Sequence, residues 1–200
     1  SRGVRVYTLP TIADEVDAYS IWHGATPFVF LSRRRTPEGV RFDLAHELGH
    51  LVLHPAAAGG DDARQEREAD SFASELLVPA DSIPEYLRPN PGFAELIRVR
   101  DQFKVSAMAL AYAAHRAGRM SDWAYRQTCI TLSGRGFRSG EPGGMASYEM
   151  SRVFPQVLRR TAAVTAATPQ AASEAHAAQL TCNDRGAPRR RPGRHWPTGR

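Results

Sequence analysis

The sequence predicts an α+β fold in which a small twisted β-sheet of about three strands packs on a helical core, with further helices toward the C-terminus. Two observations lead to this prediction. Short runs rich in β-branched and aromatic residues occupy the first 31 positions, and longer runs with helical periodicity follow without a return to strands. With 200 residues and 42% hydrophobic content, the chain can bury one sizeable core and has little room for two.

Three short segments have the length and composition of β-strands. Alternation of apolar and polar residues over Val4 to Tyr7 favours a half-exposed strand, whereas the unbroken apolar run Phe28 to Leu31 favours one buried on both faces. Residues His23 to Pro27 have the composition of a turn. We expect strands over Val4 to Leu9, Asp17 to Trp22, and Phe28 to Leu31.

Helical periodicity begins after an arginine-rich loop. The first helix ends at Pro55, which cannot continue it, and the second opens with acidic residues that suit its positive end and stops before Pro79. The segment from Pro79 to Pro91 is rich in proline, and residues 130–155 are predicted to be irregular. The expected helices are Val40 to Leu53, Asp62 to Val78, Phe93 to Phe103, Ser106 to Ala117, and Ser121 to Cys129.

The net charge of +5 is concentrated near the C-terminus. Residues 156–200 hold eight arginines against two acidic residues, a net +6, which leaves −1 for residues 1–155. The composition of residues 156–200, rich in Ala, Arg and Pro, cannot form a packed core, so we expect a folded domain over 1–155 and a disordered basic tail. We do not expect direct nucleic-acid binding, because most such tails are solvated and the folded part is nearly neutral.

Nothing in the sequence points to a membrane or to export. No run of 18 apolar residues is present, and the charged start lacks the apolar core of a signal peptide. Cys129 and Cys182 lie far apart, which fits a reducing compartment better than a disulfide framework. We therefore expect a soluble cytoplasmic protein, and the start at Ser1 leads us to expect that further sequence preceded it.

The strongest indication of a reaction chemistry is the motif His46-Glu47-Leu48-Gly49-His50, which lies inside the first predicted helix. Two histidines four positions apart lie about 40° apart on a helix, so both rings can reach one metal ion. Glu47, at about 100° from His46, flanks the metal side without facing it, which suits a general base that contacts a water molecule. The alternative is a pair of partly exposed helix histidines that bind nothing.

A catalytic zinc ion takes three protein ligands and leaves a fourth position for water. On the second helix Glu66 and Asp70 lie about 40° apart at the edge of the buried arc, whereas Glu68, at about 200°, points away from it. Glu66 is therefore the predicted third ligand, and Asp70 is expected to accept the free ring N–H of a ligand histidine. Accordingly, we expect Glu66→Ala to lower the zinc content strongly and Glu68→Ala to leave it unchanged.

Small residues permit the close helix approach that such a site needs. Ala69 and Ala73 lie on the buried arc, and Gly49 serves the same purpose on the first helix. His54 lies about 12 Å along the helix axis from His46, too far to share one zinc ion, so it is predicted to be a helix-end or pocket residue. Hydrolysis also needs an oxyanion donor, and the open candidates are Tyr86, Tyr112, His115, Tyr125 and the loop arginines.

Two longer blocks surround these residues. They are Arg41-Phe42-Asp43-Leu44-Ala45-His46-Glu47-Leu48-Gly49-His50 and Glu66-Arg67-Glu68-Ala69-Asp70-Ser71-Phe72-Ala73. Together they resemble the ImmA/IrrE family of zinc metallopeptidases, and the resemblance extends over about residues 3–155. It implies a zincin-like fold of the gluzincin type, a Zn²⁺ ion bound by His46, His50 and Glu66, and catalysis by Glu47.

The resemblance also implies a partner. Family members typically cleave helix-turn-helix repressors, which induces DNA-damage responses or mobile-element genes, and many carry an N-terminal helix-turn-helix of their own. None is visible in this sequence, so the chain is either a separate protease or the C-terminal domain of a helix-turn-helix transcription regulator.

Three functional hypotheses follow. The leading one is a zinc endopeptidase that acts on a cytosolic regulatory protein. The second is a non-catalytic sensory zinc-binding domain of a transcription factor, and the third is a stress or toxin–antitoxin partner module. Glu47 favours the first, because a purely structural zinc site needs no base beside an open coordination position.

Overall fold

The computed structural model describes residues 3–9, 16–54 and 62–149. In these ranges a three-stranded sheet precedes a set of helices, which confirms the predicted α+β class with a small sheet and C-terminal helices. The predicted domain boundary at residue 155 and the predicted tail lie outside the described residues. The strands are β1 (Arg5–Thr8), β2 (Ala18–His23) and β3 (Thr26–Leu31). The helices are α1 (Pro37–Leu53), α2 (Asp62–Leu77), α3 (Ile83–Tyr86), α4 (Phe93–Phe103), α5 (Ala107–Arg116) and α6 (Asp122–Gly134), with a 3₁₀ turn at Ala80–Ser82.

The sheet is mixed, with strand order β1-β3-β2. β1 runs parallel to β3 and β2 runs antiparallel to it, through a tight turn in which Gly24 adopts a φ of 58°. One face of the sheet packs against α1. The residues in this contact are Ala18, Val29 and Leu31 from the sheet and Val40, Leu44 and Leu51 from α1.

The burial of two strands differs from the prediction. β3 is not buried on both faces, because Val29 is fully buried against α1 whereas Phe28 and Phe30 on the opposite face are half-buried. The apolar run has another cause, since aromatic rings stack across that outer face, with the Tyr19 and Phe30 centroids 4.7 Å apart. β1, at an edge of the sheet, is exposed along its whole length instead of on one face.

Helix α1 lies between the sheet and the helical core. Phe42 and Ala45 pack into a core cluster built mainly by α3 to α6, whose fully buried members include Leu96 and Leu110. The helix begins at Pro37, three residues before the predicted start at Val40, because the Thr36 side chain accepts a hydrogen bond from the Gly39 N–H at 3.2 Å and Pro37 suits a first helical turn. Contact on two sides buries the polar middle of this helix.

Helices α1 and α2 pack closely, as the small residues predict. Ala69 and Ala73 are fully buried, and a Cβ atom added to Gly49 would lie only 3.2 Å from the Ala69 Cα and 3.1 Å from the Phe72 Cδ1. Glycine is therefore the residue that allows this spacing. The spacing sets how far a side chain of α2 must reach to meet the histidines of α1.

The later helices depart from the predicted boundaries in two places. The proline-rich segment contains the 3₁₀ turn and α3, because Pro79 and Pro84 lie at helix starts, where a missing N–H costs no hydrogen bond. Helix α6 continues to Gly134, beyond the predicted end at Cys129. In the part of the chain that the structure describes, no helix combines the length and hydropathy needed to span a membrane.

Candidate metal centre

The buried middle of α1 carries the two histidines and the glutamate of the motif. His46 and Glu47 are each 1% exposed and His50 is 7% exposed. Both histidine side chains turn their Nε2 atoms toward each other, and these atoms lie 2.9 Å apart. One turn of helix therefore brings two ligand nitrogens to a common point, as the four-residue spacing predicts.

Helix α2 brings Glu66 to the same point. Its Oε2 lies 3.2 Å from the His46 Nε2 and its Oε1 lies 3.3 Å from the His50 Nε2. The neighbouring imidazole rings of His46 and His50 hold the pKa of the Glu66 carboxyl far below its usual range. The Glu66 side chain is 39% exposed, so the centre opens to solvent on the α2 side.

Asp70 fixes the orientation of the first histidine. Its Oδ1 lies 2.8 Å from the His46 Nδ1. An ionised carboxylate only accepts hydrogen bonds, so we assign the proton to Nδ1, which leaves a lone pair on Nε2. This is the contact predicted for Asp70, one helical turn after Glu66.

The donor set fits a zinc ion. Bonds of about 2.0–2.2 Å at tetrahedral angles separate neighbouring ligand atoms by about 3.3–3.6 Å. The two histidine–carboxylate distances, 3.2 and 3.3 Å, are close to this spacing, and the two nitrogens at 2.9 Å are slightly nearer. Two imidazole lone pairs and a carboxylate that face one another repel unless a cation or a proton lies between them. Within the described residues, His46, His50 and Glu66 form the one such cluster of metal-ligating side chains.

Glu47 is held by a residue that the sequence reasoning missed. The Ser20 hydroxyl donates a hydrogen bond of 2.7 Å to the Glu47 Oε2, and its Oγ also lies 3.3 Å from the Glu47 carbonyl oxygen. Ser20 lies on β2, opposite Val29 in the register, and so faces α1. A serine in a strand 27 residues away carries no sequence signal for this contact.

His54 and Glu68 contact each other beside the centre. His54 ends α1 as its C-cap, with its Nδ1 3.0 Å from the His50 Nδ1 and its Nε2 2.9 Å from the Glu68 Oε2. The prediction that His54 is a helix-end residue and not a ligand agrees with this geometry. Glu68, expected to point away from the buried arc of α2, has a side chain that is 41% exposed, and its contact with His54 was not predicted. Its pKa is lowered by the hydrogen bond from His54 and by the nearby Arg64 guanidinium.

The family comparison agrees with this geometry. A peptidase family model described as the IrrE N-terminal-like domain matches residues 1–115, which include β1 to β3, α1 and α2. The chain belongs to this family. The sequence resemblance is thereby confirmed, and the chain contains a metallopeptidase-type domain whose three ligand candidates all lie within the matched residues. The comparison with curated proteins gave no match.

Proposed function

We propose that this IrrE-like domain is a zinc-dependent endopeptidase that hydrolyses a peptide bond in a cytosolic regulatory protein. The observation that carries the proposal is the buried Glu47 carboxylate, which follows the ligand candidate His46 in α1 and is held by Ser20 at 2.7 Å. A site that only stabilised the fold would need the ligands but no carboxylate beside them.

His46, His50 and Glu66 would hold the metal. Bound Zn²⁺ supplies a Lewis acid that polarises a carbonyl group and makes water more acidic. The three ligands bear a single negative charge in total, so a site made from them keeps a net positive charge toward a developing oxyanion. Asp70, by binding the His46 Nδ1 at 2.8 Å, keeps that ring turned toward the ion.

Glu47 is the proposed general base. Its carboxylate takes a proton from the water molecule that attacks the peptide carbonyl carbon and then delivers that proton to the leaving amine nitrogen. The bond between carbonyl carbon and nitrogen breaks, and a carboxylate and a free amine are released. The Ser20 hydroxyl orients the Glu47 carboxylate through its hydrogen bond to Oε2.

The sheet supports a peptide as substrate. β2 carries Ser20, and in the described ranges β3 is its one neighbour in the sheet. An extended peptide can add to such a strand edge through main-chain hydrogen bonds. Bound there, its scissile bond would run past Glu47.

The choice of a helix-turn-helix repressor as substrate, and with it a link to stress or mobile-element gene induction, rests on the resemblance to ImmA/IrrE metallopeptidases. The proposed partner is a repressor, with the helix-turn-helix segment either on the substrate alone or also joined to this domain.

One observation favours a second candidate function, a non-catalytic sensory or regulatory zinc-binding domain of a transcription factor. Glu47 and His46 are each only 1% exposed, so a substrate contacts the base only if the elements packed on α1 move. A sensory domain needs no such opening.

The two candidates differ in turnover. The zinc-loaded chain is incubated in ¹⁸O-enriched water with purified helix-turn-helix repressors encoded beside its gene, and fragments are identified by mass spectrometry. The peptidase proposal predicts one defined cut with ¹⁸O in the new carboxylate. It also predicts a rate about 10²- to 10⁴-fold lower for Glu47→Gln.

Two controls make the result interpretable. Glu47→Gln keeps an acceptor for Ser20 and should bind zinc as the parent does, and Glu75→Gln changes an exposed glutamate of α2 and should cleave normally. Intact repressors with a parent that carries one equivalent of zinc would refute the peptidase and favour the sensory domain.

A further inference from the structure

The ring of His50 continues into a chain of hydrogen bonds that leads away from the metal centre. Its Nε2 faces the centre, and its Nδ1 meets the His54 Nδ1 at 3.0 Å. The other His54 nitrogen, Nε2, meets the Glu68 Oε2 at 2.9 Å. The two ligand histidines thus have different partners, because His46 contacts the Asp70 carboxylate directly.

One arrangement of protons satisfies every contact in this chain. Ligation through Nε2 puts the His50 proton on Nδ1, so His50 donates and the His54 Nδ1 must accept. His54 then carries its own proton on Nε2 and donates it to the Glu68 carboxylate, which can only accept. A neutral His54 with its proton on Nε2 is therefore the form that permits His50 to bind a metal.

We propose that His54 is a positioning residue for His50, and that Glu68 acts through it by fixing the His54 tautomer. The inference rests on the proposed zinc site and adds to it a residue pair that never touches the ion. Without Glu68, His54 can carry its proton on Nδ1 instead, where it would oppose the His50 N–H.

The burial of the chain supports this role. The His54 side chain is 9% exposed, so few water molecules are available to replace it against His50. The Glu68 side chain is 41% exposed and also lies 3.6 Å from the Arg64 Nε, so its removal leaves no buried charge behind. Glu68→Ala therefore tests the interaction without threatening the fold.

His54 is not itself a third nitrogen ligand. Its Nδ1 faces the Nδ1 side of His50, which is the side opposite the metal-facing Nε2, and its Nε2 is bound to Glu68. Any contribution of His54 to zinc binding must therefore pass through the His50 ring.

The first test measures zinc affinity by competition with a coloured chelator. We expect His54→Phe, which keeps the ring volume but removes the acceptor, to weaken binding about tenfold or more. Glu68→Ala should weaken it by a smaller factor, and the double variant should bind zinc no more weakly than His54→Phe alone. His54→Gln, whose amide oxygen can accept from His50, should restore part of the loss.

Glu75→Ala is the matched control, since it removes another exposed carboxylate from α2. The inference would be overturned if Glu68→Ala and His54→Phe bound zinc as tightly as Glu75→Ala. It would also be overturned if the effects of the two substitutions on zinc affinity multiplied independently in the double variant. A parent that binds no zinc would refute the proposed function as well, whereas a parent that binds zinc beside unaffected variants would refute only this inference.

The second test reads the proton position itself. Proton–nitrogen correlation spectra of ¹⁵N-histidine-labelled, zinc-loaded protein should report His54 with a protonated Nε2 and a bare Nδ1, its signals assigned by their loss in His54→Phe. In Glu68→Ala the Nδ1-protonated form should gain population. A His54 protonated on Nδ1 in the parent would contradict the proposed chain. Neither readout depends on turnover.

Discussion

Replacing Gly49 with alanine should push helices α1 and α2, which carry the ligand candidates, apart. The new Cβ would lie 3.1 Å from the Phe72 Cδ1, 3.2 Å from the Ala69 Cα and 3.3 Å from the Phe72 Cβ. Carbon atoms in good contact lie about 3.5–4.0 Å apart, so α2 must retreat by roughly 0.3–0.5 Å. The Phe72 ring can turn aside, but the Ala69 Cα is backbone and moves only with the helix.

The magnitude follows from two opposing effects. Overpacking of this kind costs about 1–3 kcal/mol, and alanine gains about 1 kcal/mol over glycine in a helix interior. We therefore expect Gly49→Ala to lower the free energy of unfolding by about 1 kcal/mol, or about 2–4 °C in Tm for a chain of this size. The same movement lengthens the reach of Glu66 to the histidines beyond the tolerance of about 0.2 Å in a zinc site, so zinc affinity should also fall.

Urea unfolding of the metal-free chain and chelator competition measure the two effects. Gly134→Ala is the matched control, because Gly134 lies in the last turn of α6 and an added Cβ would meet nothing within 4 Å. We expect that control to be neutral or stabilising and to bind zinc as the parent does. If Gly49→Ala is as stable and binds zinc as tightly as Gly134→Ala, the proposed limit on helix spacing is incorrect.

Three further outcomes are expected. Asp70→Ala should weaken zinc binding about 10- to 100-fold in the chelator assay, because it removes the acceptor of a ligand histidine, and undiminished affinity would contradict that role. Ser20→Ala should leave zinc content unchanged but slow repressor cleavage about tenfold, because Glu47 loses its hydrogen bond at 2.7 Å, and an unaltered kcat would exclude the contact from catalysis. Hydrogen bonds from the Arg88 backbone N–H and guanidinium hold the pKa of Glu95 below its usual value of 4.5, so its contribution to stability is present above pH 4.5 and is lost as the pH falls through the lower folded-state pKa. Urea unfolding at about pH 6 and about pH 3 should find a smaller deficit of Glu95→Gln relative to the parent at the lower pH, whereas an equal deficit at both would reject this assignment.

Helical phasing predicted the metal cluster because the three ligand candidates lie in regular helices. An angle of about 100° per residue brings His46 and His50 to one side of α1 and puts Glu66 and Asp70 on the edge of α2 that meets them. The small residue Gly49 predicted that these helices approach closely. The structure brings these residues together as the phasing predicts.

The same method did not predict the contact between His54 and Glu68, because His54 lies outside a regular helix. His54 is the C-cap of α1, with φ −121° and ψ 82°, so its side chain does not follow the helical angle. It reaches Glu68 on a flank of α2 that an isolated helical wheel assigns to solvent. The angular position of a residue on one helix carries no information on the residues that tertiary packing brings next to that helix.

The contacts that the sheet makes could not be predicted from the sequence, for a related reason. Ser20 meets Glu47 only because β2 packs on α1, and the strand order and register that bring them together depend on long-range pairing. The apolar run of β3 likewise could not distinguish burial beneath a second layer from stacking among Tyr19, Phe28 and Phe30 on an outer face. The same local composition of β3 is compatible with both arrangements.

The central claim is that His46, His50 and Glu66 form a zinc site. Its most direct test is the zinc content of the purified chain by elemental analysis, compared with Glu66→Ala and with Glu75→Ala, which loses a carboxylate from the same helix without touching the cluster. We predict one equivalent of zinc in the parent and in Glu75→Ala, and a small fraction of an equivalent in Glu66→Ala. Equal zinc in all three proteins, or none in the parent, would contradict the claim.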